Sequence, residues 1–402
     1  MKILQLCHKP PIPPVDGGCI AINNVTQGLL KSGHQVKVVA ISTPKHPVKW
    51  SEFSEEYLQK TQFESVYIDT AINNISAIKS LLLGTSYHIT RFVSKELIQK
   101  LTHILKKENF DIVQLESIFV APYIQIIRQH SKAKIILRTH NIEHQIWERI
   151  VQNEKWWTKK WFLKQLTKHL KKYECSLFNK VDGFMSITTL DYRFFHQLSP
   201  QTKGITAPFG INLAQYEPEE DYIPSDNPEL FHIGSMNWLP NIEGIEWFLD
   251  EVWDLLLEKF PHITFTIAGR DIPKSIKNRN ARNVTIVGEV VDANEFMLSK
   301  DIMIVPLWSG SGVRIKIIEG MALGKTIITT SIGAEGIMVE NGKNIFIANT
   351  PEEFIDTIEK CIKTPDLCTI IGENARNYIA LHHNNDVITE EILHFYQDVL
   401  KS

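Results

Sequence analysis

The chain has 402 residues and the ordinary composition of a globular protein, with 43% hydrophobic and 22% charged residues. This length exceeds what one small core needs and favours two domains. The apolar run at the N-terminus is too short for a signal peptide, and no stretch reaches the roughly 18 uninterrupted apolar residues of a membrane span.

Short β-branched runs alternate with helical stretches in the first half of the chain. The predicted strands are 2–7, 35–41, 111–116, 134–139 and 181–187, and the predicted helices include 17–32 and 118–130. This alternation predicts a parallel sheet covered by helices.

The pattern loosens over residues 200–228, which are rich in Pro, Asp and Glu and are interpreted as an interdomain connection. The alternation then restarts. The second set of predicted strands is 230–235, 263–269, 283–288, 301–307, 326–330 and 344–348, with helices at 241–258, at 313–323 and from about 351 to 400. An α/β protein with two Rossmann-like α/β/α domains is expected, with the strand ends of both facing a central cleft.

The net charge of −3 is unevenly divided between these halves. Residues 1–212 contain 28 Lys and Arg against 16 Asp and Glu, whereas residues 213–402 contain 15 against 30. The division favours two domains that face different partners, and mutual attraction between the halves would explain it equally well.

The five cysteines are odd in number and show no CxxC spacing. They indicate free thiols of a cytoplasmic protein rather than a disulfide or zinc framework. No DxD sequence is present, so the usual carboxylate pair for a nucleotide-bound divalent cation is missing. No metal or other cofactor is therefore expected.

The most informative segment runs from Ser309 to Gly336. A loop of Ser and Gly residues follows an apolar run and precedes a predicted helix that carries Arg314, Lys316 and Glu319. Backbone N–H groups and the helix dipole attract anions at such a position. Two cations suit a diphosphate, and the carboxylate suits a ribose diol. The segment predicts a nucleotide-diphosphate site, although a solvated surface helix would show similar charges.

Several motifs now carry a family resemblance. The relevant motifs, in chain order, are the Gly17–Gly18 loop, LLKSGHQVKVVA, RTHNIEH, APFGIN, FHIGSMNWLPN, TFTIAGR and the segment from Ser309 to Gly336. Together they resemble the retaining GT-B glycosyltransferases called group 1 or family 4-like. The resemblance spans nearly the whole chain. It implies an acceptor-side domain at 1–205, a nucleotide-sugar-binding domain at 206–383, and a C-terminal helix at 384–402 that crosses back to the first domain.

The resemblance also implies roles for single residues. Glu319 matches the second of two family glutamates and would hold the donor ribose, while Ser311 stands where the first is usual. The chain is similar here to a branch that reads GxRxKxxE. The loop after the first strand of the second domain lacks the usual cations, and Arg314 and Lys316 are expected to supply that charge. His140 would act on the donor sugar, and a structural hydrogen-bonding role is its alternative.

The expected catalytic residues are His140, Arg314, Lys316 and Glu319. The expected donor-binding residues are Gly17, Gly18, Gly234, Ser235, Asn237, Arg270, Gly310, Ser311, Gly312, Val313, Glu319 and Glu335. For Gly17 and Gly18 a tight turn is favoured over a binding role. Glu335 could equally cap a turn. Asn141, Glu143 and His144 are close enough in sequence to His140 to join its site.

Residues 155–172 contain seven lysines and no acidic residue, with Trp156, Trp157, Trp161 and Phe162 near the start. On a helix this composition is typical of a segment that binds an anionic membrane surface. The alternative is a helix that packs its aromatic residues on the first domain. Nucleic acid is disfavoured as a partner because no recognised binding motif accompanies the charge.

The resulting hypothesis is a metal-independent, retaining glycosyltransferase. It would move a sugar from a UDP- or GDP-sugar to a hydroxyl of a glycan or lipid-linked acceptor, in surface polysaccharide or glycoconjugate synthesis. It would be cytoplasmic, and peripheral on the inner face of the cell membrane if the basic segment binds lipid. The alternatives are a nucleotide-sugar epimerase or hydrolase of the same fold, and a non-catalytic sugar-nucleotide-binding subunit.

Overall fold

The computed structural model describes residues 1–217, 228–310 and 312–402. The chain forms two compact units, one made of 1–210 with 385–402 and the other of 211–384. Ser311 and much of the predicted connection, 218–227, lie outside the described residues. No helix within the described ranges is both long and apolar enough to cross a bilayer.

The N-terminal unit contains a seven-stranded parallel sheet in the order β3-β2-β1-β4-β5-β6-β7. Its strands are β1 Lys2–Cys7, β2 Gln35–Ser42, β3 Glu64–Tyr67, β4 Ile112–Glu116, β5 Lys134–Thr139, β6 Gly183–Ser186 and β7 Lys203–Thr206. The central strands are nearly continuous apolar runs because helices cover both faces of a parallel sheet. Two apolar clusters lie on the two sides of this sheet.

Ten helices accompany this sheet in the described residues. They are α1 Gly17–Lys31, α2 Glu55–Thr61, α3 Asn74–Leu82, α4 Tyr87–Thr90, α5 Lys95–Lys107, α6 Ile124–His130, α7 Glu143–Asn153, α8 Trp157–Cys175, α9 Thr189–Leu198 and, at the end of the chain, α17 Asn385–Leu400.

The C-terminal helix α17 is part of the N-terminal unit. Its buried face joins the core on one side of the first sheet and consists of Ile388, Ile392, Phe395, Tyr396 and Val399. It approaches α1 closely at Gly28, where an added Cβ would lie 2.0 Å from Thr389 Oγ1. Glycine at this position therefore permits the contact between the two helices.

The C-terminal unit contains a six-stranded parallel sheet in the order β10-β9-β8-β11-β12-β13. Its strands are β8 Glu229–Ile233, β9 Thr264–Ala268, β10 Val284–Gly288, β11 Ile302–Val305, β12 Thr326–Thr329 and β13 Phe346–Ile347. Its helices are α10 Leu239–Glu251, α11 Trp253–Lys259, α12 Lys274–Lys277, α13 Ala293–Leu298, α14 Ile315–Ala322, α15 Pro351–Lys363 and α16 Pro365–His382. The two ends of the unit are joined, because Ile211 N donates to His383 O at 2.8 Å and Ile211 pairs with Asn384.

Strand order changes direction between β1 and β4 in the first sheet and between β8 and β11 in the second. In open parallel sheets, ligands bind outside the carboxyl ends of the strands at such a point. The expected positions of a ligand site are therefore the loops that follow β1 and β4 and those that follow β8 and β11.

The two predicted parallel sheets are confirmed, but several helix bounds were wrong. The segment predicted as 241–258 is two helices separated at Val252, and 118–130 begins as a 3-10 turn over Ile118–Tyr123 that contains Pro122. The helix predicted from 313 begins at Ile315, so Arg314 precedes it. The predicted connection contains β7, whose short polar sequence resembles a loop.

Candidate functional site

The carboxyl edge of the second sheet presents an anion-binding arrangement at β8 and β11. The loop after β11 contains Gly310 and Gly312, both with positive φ (111° and 81°), a conformation that glycine adopts without strain. It ends at α14, whose N-terminus has no side-chain cap. The backbone N–H groups of an uncapped helix start favour an anion.

Lys316, in the first turn of α14, reaches toward the loop after β8. Its Nζ donates to Asn241 Oδ1 at 2.7 Å and lies 3.3 Å from His232 Nε2. His232 Nδ1 lies 2.8 Å from Ile304 O, which assigns the proton to Nδ1 and leaves Nε2 as the acceptor. A Cβ on Gly234 would lie 2.9 Å from the Lys316 ammonium, so glycine gives the lysine access to this loop.

No carboxylate of the described residues forms an ion pair with Lys316. Burial, and secondarily the nearby Arg314, lower the pKa of Lys316 to about 7. A partly desolvated ammonium group without a counter-ion, next to a second cation, is an arrangement that an anionic ligand would stabilise.

Arg314 is almost completely buried, at 4% exposure. Its guanidinium donates to Gly312 O and, at 3.4 Å, to Ile332 O, and it lies over the Trp238 ring at 5.4 Å. It therefore holds the loops after β11 and β12 together in addition to carrying positive charge. Gly310 packs against this contact between Arg314 and Trp238 and leaves no space for a side chain, because a Cβ on Gly310 would lie 2.8 Å from the Trp238 ring.

Glu319, one turn further along α14, accepts a hydrogen bond from the Tyr216 hydroxyl at 3.1 Å. Burial raises the pKa of the Glu319 carboxyl, and Tyr216 partly opposes the shift. The pKa of Tyr216 is raised by its own burial and by Glu319. Among the described residues the carboxylate thus has one polar side-chain partner, in a poorly hydrated setting, which suits recognition of neutral hydroxyl groups.

The other residues expected to bind the donor differ in how close they lie to Lys316 and in how exposed they are. Gly234 and Ser235 lie beside Lys316 and Asn241, and the buried hydroxyl of Ser235 has no partner among the described residues. Asn237 and Arg270 are exposed, with Arg270 4.0 Å from Glu289. Val313 lies between the glycine loop and Arg314, Glu335 is half-buried after β12, and Ser311 lies outside the described residues.

The carboxyl edge of the first sheet contains a buried charged cluster. Glu116, at the end of β4, accepts from His140 Nε2 at 2.8 Å and from Arg138 at 3.3 Å. Burial alone would raise the pKa of Glu116, but Arg138 and His140 outweigh it and hold that pKa below its usual value. Burial lowers the pKa of His140 despite Glu116. His140 is therefore a neutral imidazole that donates through Nε2 and keeps Nδ1 as an acceptor.

His8, in the loop after β1, completes this cluster. Its Nδ1 donates to the backbone carbonyl of Glu116 at 2.8 Å, and its ring meets that of His140 edge-on at 5.6 Å. Ser117, the next residue of the chain after Glu116, has φ of 85° and ψ of 156°. This is a strained backbone for a residue other than glycine, and such strain is concentrated at functional sites.

The neighbours of His140 have different roles. His144 is fully buried and is bound to Glu174 at 2.6 Å, so its role is structural. The same Glu174 accepts from the backbone N–H groups of Glu143 and His144 at the start of α7. Burial and then Glu174 raise the pKa of Glu143 to about 8, so this half-buried carboxyl is largely protonated at neutral pH.

Gly17 and Gly18 are the first residues of α1, which is capped by Asp16. Lys9 and His46 bind the Asp16 carboxylate at 2.7 Å and 2.8 Å. Asp16, Cys19 and His46 are close enough to share a metal ion. The Lys9 ammonium already neutralises Asp16, however, and burial raises the pKa of the Cys19 thiol to about 12. These groups fit an ion-pair cluster better than a metal centre.

Sequence reasoning missed Glu116, His8, His232, Asn241 and Tyr216. A carboxylate at the end of the apolar run DIVQLE was a usable signal for Glu116, because an acid there must be paired or functional. Tyr216 came from the segment interpreted as a connection, and no local pattern distinguishes it.

Comparison with known proteins identifies the second unit. Residues 227–364 match the family model described as Glycosyl transferases group 1. An uncharacterised 44.6 kDa protein in the cps region of Klebsiella pneumoniae is 25% identical, over 97% of this chain and 98% of that protein.

Two solved structures show the fold of the whole chain. Sucrose-phosphate synthase from Thermosynechococcus elongatus covers all of this chain and is fully covered by it, with a TM-score of 0.71 and 14% identity. Anabaena HepE in complex with UDP-glucose has a TM-score of 0.64 and 13% identity, over 99% of this chain and 100% of that one. The family match thus covers residues 227–364, the GT-B fold covers the whole chain, and together these comparisons support a glycosyltransferase.

Proposed function

We propose that the protein transfers a sugar from a nucleotide-diphosphate sugar to a hydroxyl group of a glycan or lipid-linked acceptor. The observation that carries the donor assignment is Lys316, a half-buried cation without a carboxylate partner among the described residues, beside an uncapped helix start. HepE, which shares the fold, was solved with UDP-glucose, and this supports a UDP-sugar donor.

In this proposal the diphosphate lies against the start of α14 and the Gly234–Ser235 loop. Lys316 binds a phosphate oxygen, Arg314 adds positive charge while holding the loop, and Glu319 accepts from the ribose hydroxyls. Charge-assisted hydrogen bonds to a phosphate in a desolvated setting are among the strongest polar contacts. Asn241 and Trp238 keep the two cations in place.

The proposed transfer step is retaining and needs no metal. The bond from the anomeric carbon to the diphosphate oxygen breaks, and the acceptor oxygen bonds to that carbon on the same face. The acceptor proton passes to the departing phosphate, whose charge Lys316 and Arg314 stabilise. His140 serves this step rather than nucleotide affinity.

The proposed setting is the inner face of the cell membrane. All five cysteines are free thiols, which supports a reducing compartment. The relative from a cps region supports a role in surface polysaccharide synthesis.

Calorimetry with UDP and GDP tests the donor site. One nucleotide should bind, and Lys316→Met should weaken its binding by about tenfold or more, the worth of one charge-assisted hydrogen bond. Lys277→Gln, which removes an exposed lysine from the same unit, should leave the affinity unchanged. Equal affinity in the wild type and Lys316→Met would refute the assignment.

Product analysis separates the competing functions. Incubation with a sugar derivative of the nucleotide that binds, together with an acceptor mixture, should release the nucleoside diphosphate only when acceptor is present. Release without acceptor would favour a hydrolase, interconversion of the sugar an epimerase, and binding without turnover a non-catalytic subunit.

A further inference from the structure

The side of the N-terminal unit formed by α3, α4 and α8 carries an unusual exposed surface. These helices pack around a small cluster of Ala77, Tyr87 and Leu166, with Phe162 against it. The aromatic residues at the start of α8 divide between core and solvent. Phe162 is half-buried in this cluster, whereas Trp156, Trp157 and Trp161 are 76%, 79% and 59% exposed.

The exposed tryptophans align with lysines along one face of α8. Trp157, Trp161, Lys164 and Lys168 follow one another at spacings of four, three and four, so they share a face. The opposite face is buried and consists of Leu166, Thr167, Leu170 and Glu174. The helix therefore needs only one side for packing and leaves the Trp and Lys side in water.

The lysines in and just before α8 differ in whether they have an ion-pair or hydrogen-bond partner. Lys159 and Lys171 form ion pairs with Glu154 and Glu148, at 2.6 Å and 3.0 Å. Lys160 donates to Gln152 O. Lys164, Lys168 and Lys172 of α8, and Lys155 just before the helix, are exposed and form no ion pair within the described part of the chain. The three helical lysines form a positive strip along the tryptophan face, and Lys155 adds charge next to its start.

Helix α3 adds exposed aliphatic residues to the same group of helices. Ile75, Ile78 and Leu82 lie at spacings of three and four and are 79%, 51% and 83% exposed, while Ala77 and Ser80 face inward. Ile72 and Leu83, at the two ends of α3, are exposed as well. Exposed large apolar side chains grouped in this way mark an interaction surface.

We infer that this surface, defined as α3 with the Trp and Lys face of α8, binds the interface of a bilayer that contains anionic lipid. Tryptophan side chains have an apolar body and one polar N–H, which suits the headgroup region. Unpaired lysines complement anionic headgroups. A folded protein partner would be expected to present carboxylates to these lysines and a matched apolar groove to α3, whereas a bilayer supplies both properties without shape complementarity.

Sedimentation with phosphatidylcholine vesicles, with and without phosphatidylglycerol, tests the inference on the full-length protein. The protein should pellet with the anionic vesicles only, and high salt should release part of it, because exposed charges are screened. Quenching of tryptophan emission by brominated lipid should accompany binding. A protein that stays in the supernatant with both vesicle types would overturn the inference.

A charge-matched pair of variants isolates the lysine strip. Replacing Lys155, Lys164, Lys168 and Lys172 by Gln should lower the partition coefficient at least about tenfold, since each lysine near an anionic surface contributes substantially. The control replaces the exposed lysines Lys45, Lys132, Lys274 and Lys277 by Gln, and should bind like the wild type. Equal losses in both variants would mean that only net charge matters.

Two further variants separate the apolar parts. Trp157→Ser with Trp161→Ser, and Ile75→Ser with Ile78→Ser and Leu82→Ser, should each weaken binding and abolish or reduce lipid quenching. Nucleotide affinity should stay unchanged in all variants, so failure here is distinct from failure of the donor site. If these changes instead convert a dimer into a monomer without altering vesicle binding, the surface contacts a second copy of the chain and the inference is wrong.

Discussion

The ammonium nitrogen of Lys316 lies 2.7 Å from the amide oxygen of Asn241, and the amide nitrogen of Asn241 donates in turn to Ser235 O at 2.8 Å. One asparagine at the start of α10 thus fixes both the lysine and the loop that the lysine faces. This arrangement, together with the lowered pKa of Lys316, determines how nucleotide binding should depend on pH.

Donor binding should be linked to proton uptake above neutral pH. The pKa of Lys316 is about 7 in the free protein, and a bound diphosphate would raise it. Below pH 7 the lysine is already charged, and above it binding must first add a proton. Affinity should therefore fall by up to about tenfold per pH unit as the pH rises above 7.

Calorimetry with a nucleotide sugar, whose phosphates do not titrate in this range, measures this linkage. Titrations in buffers of different ionisation enthalpy should show proton uptake that rises toward one per site. In Lys316→Arg, which stays charged, the uptake should disappear. Uptake that persists in this variant would assign the proton to another group.

Glu319 and Tyr216 should contribute to recognition of the ribose. Glu319→Gln keeps the shape of the side chain but weakens acceptance from hydroxyl groups, and should reduce nucleotide affinity by about tenfold. Tyr216→Phe removes the Tyr216–Glu319 hydrogen bond and should have a smaller effect in the same direction. A 2′-deoxynucleotide should bind the wild type and Glu319→Gln with about equal affinity. If removing the 2′-hydroxyl lowers the affinity as much in Glu319→Gln as in the wild type, Glu319 does not recognise the ribose.

His140→Ala should lower kcat by about a hundredfold or more while leaving the Kd for the nucleotide within a small factor, because its role is assigned to the transfer step. Initial rates with saturating donor, compared with calorimetry on the same preparation, measure both quantities. A matched loss of affinity would place His140 in nucleotide binding instead.

Glu116→Gln tests whether the buried cluster is also structural. It leaves Arg138, which is 1% exposed, without its carboxylate partner. Loss of one member of a buried ion pair typically costs about 3–5 kcal/mol. Thermal unfolding should show a clearly lower Tm than for His140→Ala, which removes only the half-buried neutral member.

Gly28→Ala should destabilise the N-terminal unit by about 1–3 kcal/mol, because the new methyl group collides with Thr389. Thr389→Ala removes the colliding Oγ1, so the double variant should be more stable than the sum of the two single effects predicts. Chemical denaturation of the four proteins gives this coupling energy. Strict additivity would mean that α1 and α17 separate to accept the methyl group.

The regular part of the fold could be predicted because its strands are buried on both faces and therefore form uninterrupted apolar runs. Other parts lacked such a signal, among them the short strand β3. β7 is a short edge strand, KGIT, with a single large apolar residue. Helix α14 starts two residues later than its apolar pattern suggests because Arg314 adopts an extended backbone.

The residues of the candidate site likewise divide into those that the sequence predicts and those that it does not. The sequence predicted four site residues because they lie within one short segment whose residue types and order indicate a phosphate site. They are Gly310, Gly312, Lys316 and Glu319. His232 and Asn241 could not be predicted in this way, since each acquires its role only through Lys316, which lies far away in the sequence. Parallel sheet topology brings such partners together, and no local pattern records it.

The pairing of Ile211 with Asn384 gives the chain the plan of one domain inserted into another. The inserted piece, 211–384, has its two ends hydrogen-bonded to each other and can be excised as a single segment. The host domain cannot be obtained by simple truncation, since residues 1–210 alone would expose the apolar surface that α17 covers. A host expressed by itself requires 385–402 rejoined to 210 by a short loop, and a deletion that removes only these last residues should damage the domain at the opposite end of the sequence.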